Sequence, residues 1–228
     1  MSETRQGVEA RVETERARLI QVLEGLDEQQ WAAPSLCAGW SVRDLVVHLL
    51  MPYEVTVPRF LVMMLRAKFD FDRAADRWAR SDKRSPSEVL AGLRDTRRRR
   101  FSAPGAPAEA PLSHLVIHAQ DVYRPLGLPS PTDPENADVV LGQLTGPRAR
   151  GLVPPGILEG IAYSATDTNW SYGDGPRVSG PAVSLLMTLS GRTAALSDLT
   201  GEGVANVRTR LEAADSGTAG GEKWGPGS

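Results

Sequence analysis

The chain contains only three histidines, and their placement constrains the fold more than any other feature. His114 and His118 are four positions apart in an apolar segment with helical spacing, which puts both imidazoles on one helix face, one turn apart. His48 lies in an earlier apolar segment that is also predicted to be helical. A metal ion tolerates little error in the position of its ligands. A site built from all three residues would therefore hold these helices in one bundle.

Each histidine also has an ordinary structural explanation, as a hydrogen-bonded core residue or as one of a solvated pair. If all three bind one metal, three neutral imidazoles leave a coordination position open, which is the pattern of catalytic sites rather than of structural ones. Asp121 follows His118 by three residues. It is expected either to support the metal site or contact a substrate, or else to cap the helix or pair with Arg124.

Composition narrows the class of protein. The 228 residues are 41% hydrophobic and 24% charged with a formal net charge of −2, which is typical of a soluble globular protein and favours neither a nucleic-acid nor a membrane partner. Cys37 is the single cysteine, so no intramolecular disulfide can form, which fits a reducing compartment. The charged N-terminus has no apolar signal segment, and no apolar stretch approaches the ~20 residues of a membrane span. We expect a cytoplasmic protein.

The pattern along the chain predicts a mainly helical fold. Periodicity and caps predict helices over the following segments: 3–26, Ser41 to Pro52, Tyr53–Phe69 with Pro58 as a kink, Phe71–Arg80 as a short helix or a turn, Ser85–Phe101, Leu112 to Pro125, Asp133–Leu144, Pro181–Ser190 and Val204–Leu211. An ordered loop is expected over Asp27–Trp40, and extended chain over Ile157–Ala165 and Trp170–Val178. The Arg97–Arg100 run is expected to be a solvated helix end.

Three segments of the sequence resemble a known family. The first is Trp31–His48, the second is His114–Gly127, and the third is Ala165–Pro176 followed by Leu189–Leu196. Together they resemble the mycothiol-dependent maleylpyruvate isomerase family, which shares the DinB-like metal-binding four-helix bundle. The resemblance extends from about residue 5 to residue 212.

This resemblance implies a fold class, and the change of pattern after about residue 150 and the Gly-rich end of the chain supply the domain boundaries. The expected fold is mainly α (α+β), a DinB-like four-helix bundle with a small C-terminal α/β extension. The bundle is expected to occupy residues 1–150, the small α/β region residues 151–213, and a flexible tail residues 214–228.

The resemblance also implies a metal centre and a cosubstrate. His48, His114 and His118 are the expected ligands of a divalent metal, with Zn²⁺ as the first expectation and Ni²⁺, Fe²⁺ or Mn²⁺ as alternatives. Mycothiol, a low-molecular-weight thiol, is the implied cosubstrate, bound to the metal as its thiolate. Asp121 is expected to orient a ligand, and Arg192 to hold a carboxylate substrate or the thiol. The alternative for Arg192 is a structural cation at a helix C-terminus.

The sequence departs from the family pattern at positions that bear on the reaction. The isomerase that names the family looks to have Glu where this chain has His114, which makes the expected site less anionic. Many relatives appear to have an Asn near Ala75. The sequence therefore does not establish isomerisation of maleylpyruvate itself.

Two classes of function are consistent with these features. The first is a metal-dependent enzyme that activates a small thiol for transfer to, or isomerisation of, a small electrophile. The second is a non-catalytic metal-binding protein that binds small molecules in resistance or stress. Iron-dependent oxygen chemistry ranks last. The sulfoxide synthases that share this bundle resemble an HxxxHxE pattern, and this chain has Gln120 at the position of the Glu. The sequence leaves a homodimer open, and it leaves open whether Cys37 is a reactive thiol or a loop residue.

Overall fold

The computed structural model describes residues 5–95, 107–149 and 151–218. The described helices are α1 (Arg5–Glu24), α2 (Glu28–Ala32), α3 (Val42–Glu54), α4 (Val57–Arg66), α5 (Phe71–Ser81), α6 (Pro86–Arg94), α7 (Ala110–Tyr123), α8 (Pro134–Leu144), α9 (Ala182–Leu189) and α10 (Val204–Thr218), with a 3-10 helix at Thr193–Asp198. The strands are β1 (Ala162–Ala165), β2 (Ser171–Tyr172) and β3 (Arg177–Gly180). The predicted fold class, mainly helical with a small C-terminal α/β part, is confirmed.

The chain forms two compact units, divided between Pro131 and Thr132. In the first unit four helices close a ring of contacts, in which α1 packs on α7, α7 on α3, α3 on α6, and α6 on α1. The shorter α2 and α5 pack on α3, and α4 packs on α5. This ring is the four-helix bundle that the resemblance implies.

The two helices that carry the histidines are the most deeply buried of the bundle. Eight residues of α3, from Val42 to Met51, are buried, and α7 is buried almost throughout from Leu112 to Tyr123. Because leucine, valine and isoleucine surround the histidines along both helices, packing the helices also encloses the imidazoles. The apolar runs in the sequence thus determine the surroundings of the site.

Helix α3 begins at a well-defined cap. The Ser41 hydroxyl accepts a hydrogen bond from the Asp44 backbone N–H at 3.2 Å, and the Asp44 carboxylate accepts one from the Ser41 backbone N–H at 3.2 Å. Although Glu or Gln is the usual residue at the third helical position, the shorter Asp44 completes the same reciprocal pair. The cap that the sequence suggested is confirmed.

The region after α3 differs from the prediction. Helix α3 ends at Glu54, and a new helix begins at Val57 with Pro58 in its first turn. Pro58 therefore starts a helix and does not kink one, in keeping with the preference of proline for the first turn, where no backbone N–H is needed. The segment Phe71–Ser81, for which helix and turn were both open, is a helix capped by Asp70.

Two other expectations need correction. The predicted loop Asp27–Trp40 contains the short helix α2, whose Asp27 and Gln30 form a capping box. Helix α10 continues to Thr218, so residues 214–218 are helical and only residues 219–228 of the expected tail lie outside the described residues. The Arg97–Arg100 run also lies outside them.

The second unit contains a three-stranded sheet with the order β2-β1-β3. Strand β1 pairs antiparallel with β2 and parallel with β3, and α9 packs against α8 and against β1 and β3. Only Ala162–Ala165 of the predicted extended segment Ile157–Ala165 is a strand; Tyr163 donates its hydroxyl to the Ile157 carbonyl at 2.6 Å across the preceding turn. The domain boundaries at 150 and 213 stay predictions. Among the described residues, no helix is both long and apolar enough to cross a bilayer.

The α3 cap gives a test of local stability. Replacing Ser41 with Ala removes the acceptor for the Asp44 N–H, and we expect the free energy of unfolding of the bundle to fall by about 1 kcal/mol. Ser41→Gly is the matched control, because glycine at this position typically costs only a few tenths of a kcal/mol. Urea unfolding followed by far-ultraviolet circular dichroism measures both. Equal stability of Ser41→Ala and the wild type would contradict a stabilising cap.

Candidate metal centre

The three histidines meet in the core of the bundle. The ring centroid of His48 on α3 lies 5.0 Å from that of His114 and 5.1 Å from that of His118, and the two α7 rings are 4.8 Å apart. His48 and His118 are buried, whereas His114 is partly exposed. The structure thus brings together all three residues that the sequence singled out.

Their nitrogen atoms have the spacing of metal ligands. Nε2 of His48 lies 3.0 Å from Nε2 of His114, and one nitrogen from each of the three rings lies within 4.8 Å of the others. Two ligand nitrogens on a tetrahedral zinc ion, each bonded at about 2.0–2.1 Å, are separated by about 3.3 Å. The three imidazoles therefore suit a divalent transition metal, with one position left for a further ligand.

The hydrogen bonds of His48 support the same conclusion. Its Nδ1 is buried, and the described residues provide no hydrogen-bond partner for it. Its Nε2 faces another imidazole nitrogen, and two neutral rings can share only one proton in that contact. Buried polar atoms normally have hydrogen-bond partners. The ring nitrogens of His48 and His114 outnumber the protons available to bond them, so a metal ion explains the arrangement better than packing does.

The site keeps the imidazoles of His48 and His114 neutral. Burial, aided by the charge of His118, lowers the pKa of His48 to about 3. Burial lowers the pKa of His114 well below its ordinary value as well, with further contributions from His118 and His48. Only neutral imidazole can bind a metal, so these two residues do not need to lose a proton at neutral pH.

Asp121 lies directly behind His118 on α7. Its Oδ2 is 3.0 Å from His118 Nδ1, and the carboxylate is fully buried. A carboxylate in this position makes Nδ1 the protonated nitrogen and leaves Nε2 as the ligand atom. The hydrogen bond to His118 is consistent with support of the metal site, one of the roles open from the sequence, and the role of Asp121 stays a prediction.

Cys37 is part of the site, which the sequence did not reveal. Its Sγ lies 3.4 Å from Asp121 Oδ2 and 3.7 Å from His118 Nδ1, so these three residues form a second group with metal-ligand spacing. Cys37 is 84 residues from Asp121 along the chain. The regular four-residue spacing that identifies an HxxxH pair has no equivalent for Cys37, and only the folded loop shows the contact.

The loop that carries Cys37 is held against two helices. The Leu36 N–H donates to the Asp121 carbonyl on α7 at 3.1 Å, and Trp40 Nε1 donates to Asp76 on α5 at 3.0 Å. The Trp40 ring centroid also lies 5.0 Å from that of His48. Trp40 and Cys37 thereby form one wall of the site, and the sequence analysis assigned no role to Trp40.

Arg192 lies in the second compact unit. It precedes the 3-10 helix Thr193–Asp198, and its Nη1 donates to the Ser190 carbonyl at 2.6 Å. This bond matches the structural role considered for it, and its expected contact with substrate stays a prediction. Asp167, in the third segment of the resemblance, accepts a hydrogen bond from the Ala182 N–H at 2.8 Å and so supports the start of α9.

The comparisons with known proteins agree with this geometry. Residues 12–121 match the family model of the mycothiol maleylpyruvate isomerase N-terminal domain. The matched stretch is slightly less than half of the chain. It contains His48, His114, His118, Asp121 and Cys37, so the whole cluster lies within the matched residues.

Two solved structures align with the chain at low similarity. The crystal structure of a mycothiol-dependent maleylpyruvate isomerase aligns with a TM-score of 0.45 at 15% identity, covering 88% of this chain and 93% of that one. A histidine-to-alanine mutant of such an enzyme aligns with the same TM-score and coverage at 14% identity. None of the curated proteins compared with the chain matches it.

The two overlapping ligand groups can be separated by metal analysis. We expect the wild type, purified without added metal, to contain about one divalent ion per chain, and the His48→Ala/His118→Ala variant to contain none. Cys37→Ser should keep its metal if the three histidines are the ligands. Inductively coupled plasma mass spectrometry measures the content. Loss of metal from Cys37→Ser with retention in His48→Ala would place the ion in the cysteine group instead.

The neutral histidines also predict how stability depends on pH. In metal-free protein, unfolded His48 takes up a proton near pH 6.5, but folded His48 does so only near pH 3. The unfolded state binds more protons between these values, so stability is complete above about pH 6.5 and falls as the pH decreases toward 3. We expect His48→Gln to reduce this fall by up to about 1.4 kcal/mol per pH unit.

Urea unfolding of metal-free protein at several pH values measures the slope. His48→Gln keeps a polar side chain of similar size but does not titrate. A Gln21→Glu variant, changed at an exposed residue of α1, shows how the slope varies between separately prepared variants. Identical slopes for the wild type and His48→Gln would contradict a depressed pKa for His48.

Proposed function

We propose that this protein is a metal-dependent enzyme that activates a small thiol of the mycothiol type, and uses it to isomerise a small electrophile or to transfer the thiol to one. The observation that carries the proposal is the buried cluster of His48, His114 and His118 within a mycothiol maleylpyruvate isomerase N-terminal domain. Three neutral imidazoles leave room for an exchangeable ligand, which catalysis requires and structural sites lack.

The proposed chemistry follows from the residues of the site. His48, His114 and His118 would hold a divalent ion, which when bound would lower the pKa of a coordinated thiol so that the thiolate is available near neutral pH. His48 and His114 contribute neutral nitrogens from two helices, and their packing in the apolar core fixes where the ion sits. The partly exposed edge at His114 is the side from which we expect the thiol to enter.

Asp121 is proposed as a positioning residue. Its hydrogen bond to His118 Nδ1 fixes the orientation and tautomer of that ring and raises its basicity as a ligand. Asp121 also accepts from the Cys37 thiol, which leaves that thiol directed at a carboxylate rather than at the cluster of three histidines. We therefore assign the nucleophile to the cosubstrate and not to Cys37.

Arg192 is proposed as a substrate-binding residue on the strength of the resemblance alone. A guanidinium suits a carboxylate substrate because it offers two parallel donors. Its hydrogen bond to Ser190 occupies one nitrogen and is compatible with this role. A lysine at this position would keep the charge and lose the paired geometry.

The test is an activity assay with metal-loaded protein. We expect the wild type, given mycothiol, either to isomerise maleylpyruvate or to consume the thiol with a small electrophilic acceptor. His118→Ala should fall to the background rate because the metal is lost, and Asp121→Asn should weaken metal affinity by about 10–100-fold. Arg192→Lys should raise KM more than it lowers kcat. Ultraviolet absorbance and thiol titration record the two reactions.

Controls distinguish the two classes of function. Cys37→Ser should keep activity if the cosubstrate supplies the nucleophile. Metal content has to be recorded for every preparation. Wild-type protein that binds one metal ion and the thiol, yet gives no product with any acceptor, would favour a non-catalytic metal-binding protein over the enzyme.

A further inference from the structure

Helix α4 differs from the rest of the first unit in its surface. Within the described residues, the large apolar side chains that are strongly exposed all lie on this helix or just beyond it: Val57, Leu61, Val62, Leu65 and Phe69, each 45–71% exposed. None of the α4 residues is buried. Val57, Leu61 and Leu65 are four positions apart and share one helix face, and Phe69 follows in the turn after the helix.

The opposite side of α4 holds it to the bundle. The Arg59 guanidinium lies 4.6 Å from the Trp78 ring centroid on α5, and the Phe60 and Phe71 rings are 6.4 Å apart. Arg77 donates to the Arg66 carbonyl at 2.9 Å. Ala67, immediately after the helix, is fully buried. These contacts fix the orientation of α4, and they leave Val57, Leu61, Val62 and Leu65 exposed.

The turn after α4 adds to this exposure. Lys68 and Phe69 both have positive φ, at 58° and 62°, a conformation that is uncommon for residues other than glycine and costs about 1–2 kcal/mol per residue. Their N–H groups close the helix by donating to Leu65 and Met64. The backbone thus adopts an unfavourable turn at the point where the most exposed aromatic ring of the face, that of Phe69, is located.

We propose that this apolar face of α4 is the contact by which two copies of the chain form a homodimer. If a fully exposed large apolar side chain presents about 150–250 Å², the five residues expose on the order of 500 Å². That is the size of the largest patches on monomers, which are often functional. It would supply the apolar centre of a standard interface of about 800 Å² per partner.

The shape and charge of the face favour a second copy. A single convex helix with side chains four positions apart packs naturally against another such helix. A two-fold axis near Leu61 would set the two Leu61 side chains together and bring Val57 of each copy against Leu65 of the other. The two positions have similar size, so the face is complementary to itself, as an isologous interface requires.

A membrane surface fits the same face less well. Amphipathic helices that lie on anionic lipid have an excess of lysine and arginine beside the apolar face. Here cations and anions are interspersed on and after α4, and the chain as a whole carries a net charge of −2. The charged residues from position 57 to 77 are Arg59, Arg66, Lys68, Asp70, Asp72, Arg73, Asp76 and Arg77. Mixed charge around an apolar centre is the usual anatomy of a protein interface.

Sedimentation equilibrium tests the proposal. We expect the wild type to have twice the 24.6 kDa mass of one chain at micromolar concentrations, and Leu61→Glu/Leu65→Glu to be a monomer with unchanged circular dichroism. Gln21→Glu/Gln29→Glu adds the same charge at exposed positions elsewhere and should remain dimeric. A monomeric wild type, or a dimeric Leu61→Glu/Leu65→Glu variant, would overturn the proposal.

A second measurement covers the case in which the double variant fails to fold. Leu61→Cys should form a disulfide-linked dimer under mild oxidation, because the two-fold axis places the two cysteines together, whereas Gln21→Cys should not. Absence of the Leu61→Cys dimer contradicts the proposed contact. A wild type that is monomeric but sediments with phosphatidylserine vesicles would assign the face to a membrane surface instead.

Discussion

The energetic constraint on which this protein depends is the burial of three imidazoles in an apolar bundle. Removing a polar group from water is unfavourable unless a partner replaces the lost hydrogen bonds. Here the protein itself supplies few partners: His48 and His114 face each other through Nε2, and Asp121 bonds His118. Burial drives the pKa of His48 to about 3, so the cluster cannot reduce its cost by becoming charged and gaining water. Packing of α3 against α7 thus brings together three imidazoles whose ring nitrogens a divalent ion would satisfy.

Asp121 connects this requirement to the rest of the fold. Its carboxylate orients His118, while its backbone carbonyl accepts from Leu36 in the loop before α3. That loop also leads into the capped start of α3, which carries His48 seven residues on. One residue of α7 therefore fixes a ligand on its own helix and helps to fix the segment that positions the ligand on the neighbouring helix. A change at Asp121 would alter the angle of a ring and the placement of a loop together, so its effects on metal affinity and on stability are coupled.

The sequence predicted what depends on local periodicity and missed what depends on the folded loop. His114 and His118 share a face because of helix geometry alone, and the surrounding leucine and valine residues indicate burial, so the cluster could be predicted. The start of α4 at Val57 could not be predicted from the sequence. Pro58 is compatible with a kink inside a helix or with the first turn of a new one, and which of these occurs depends on where α3 ends. The contact of Cys37 with His118 and Asp121 joins residues more than 80 positions apart, and no local pattern encodes it. The exposure of the apolar face of α4 could not be predicted either, because apolar residues at helical spacing normally indicate a face buried in the core.

The histidine at position 114 bears on how the proposed site would treat a thiol. The isomerase that names the family resembles this chain but looks to have Glu there, and a glutamate ligand would cancel one unit of the charge of a divalent ion. Three neutral imidazoles leave that charge intact at the point where the thiol binds. Attraction between opposite charges is far stronger inside a protein than in water, so the thiolate form gains more from this set than from one that includes a carboxylate. Asp121 also carries a negative charge, but it bonds the His118 ring and would not bond the metal directly. It would therefore offset the charge of the ion less than a glutamate ligand would. If a divalent ion occupies the site as proposed, histidine in place of glutamate would favour an anionic sulfur over a neutral carbonyl as the further ligand. Thiol transfer would then suit the site at least as well as isomerisation.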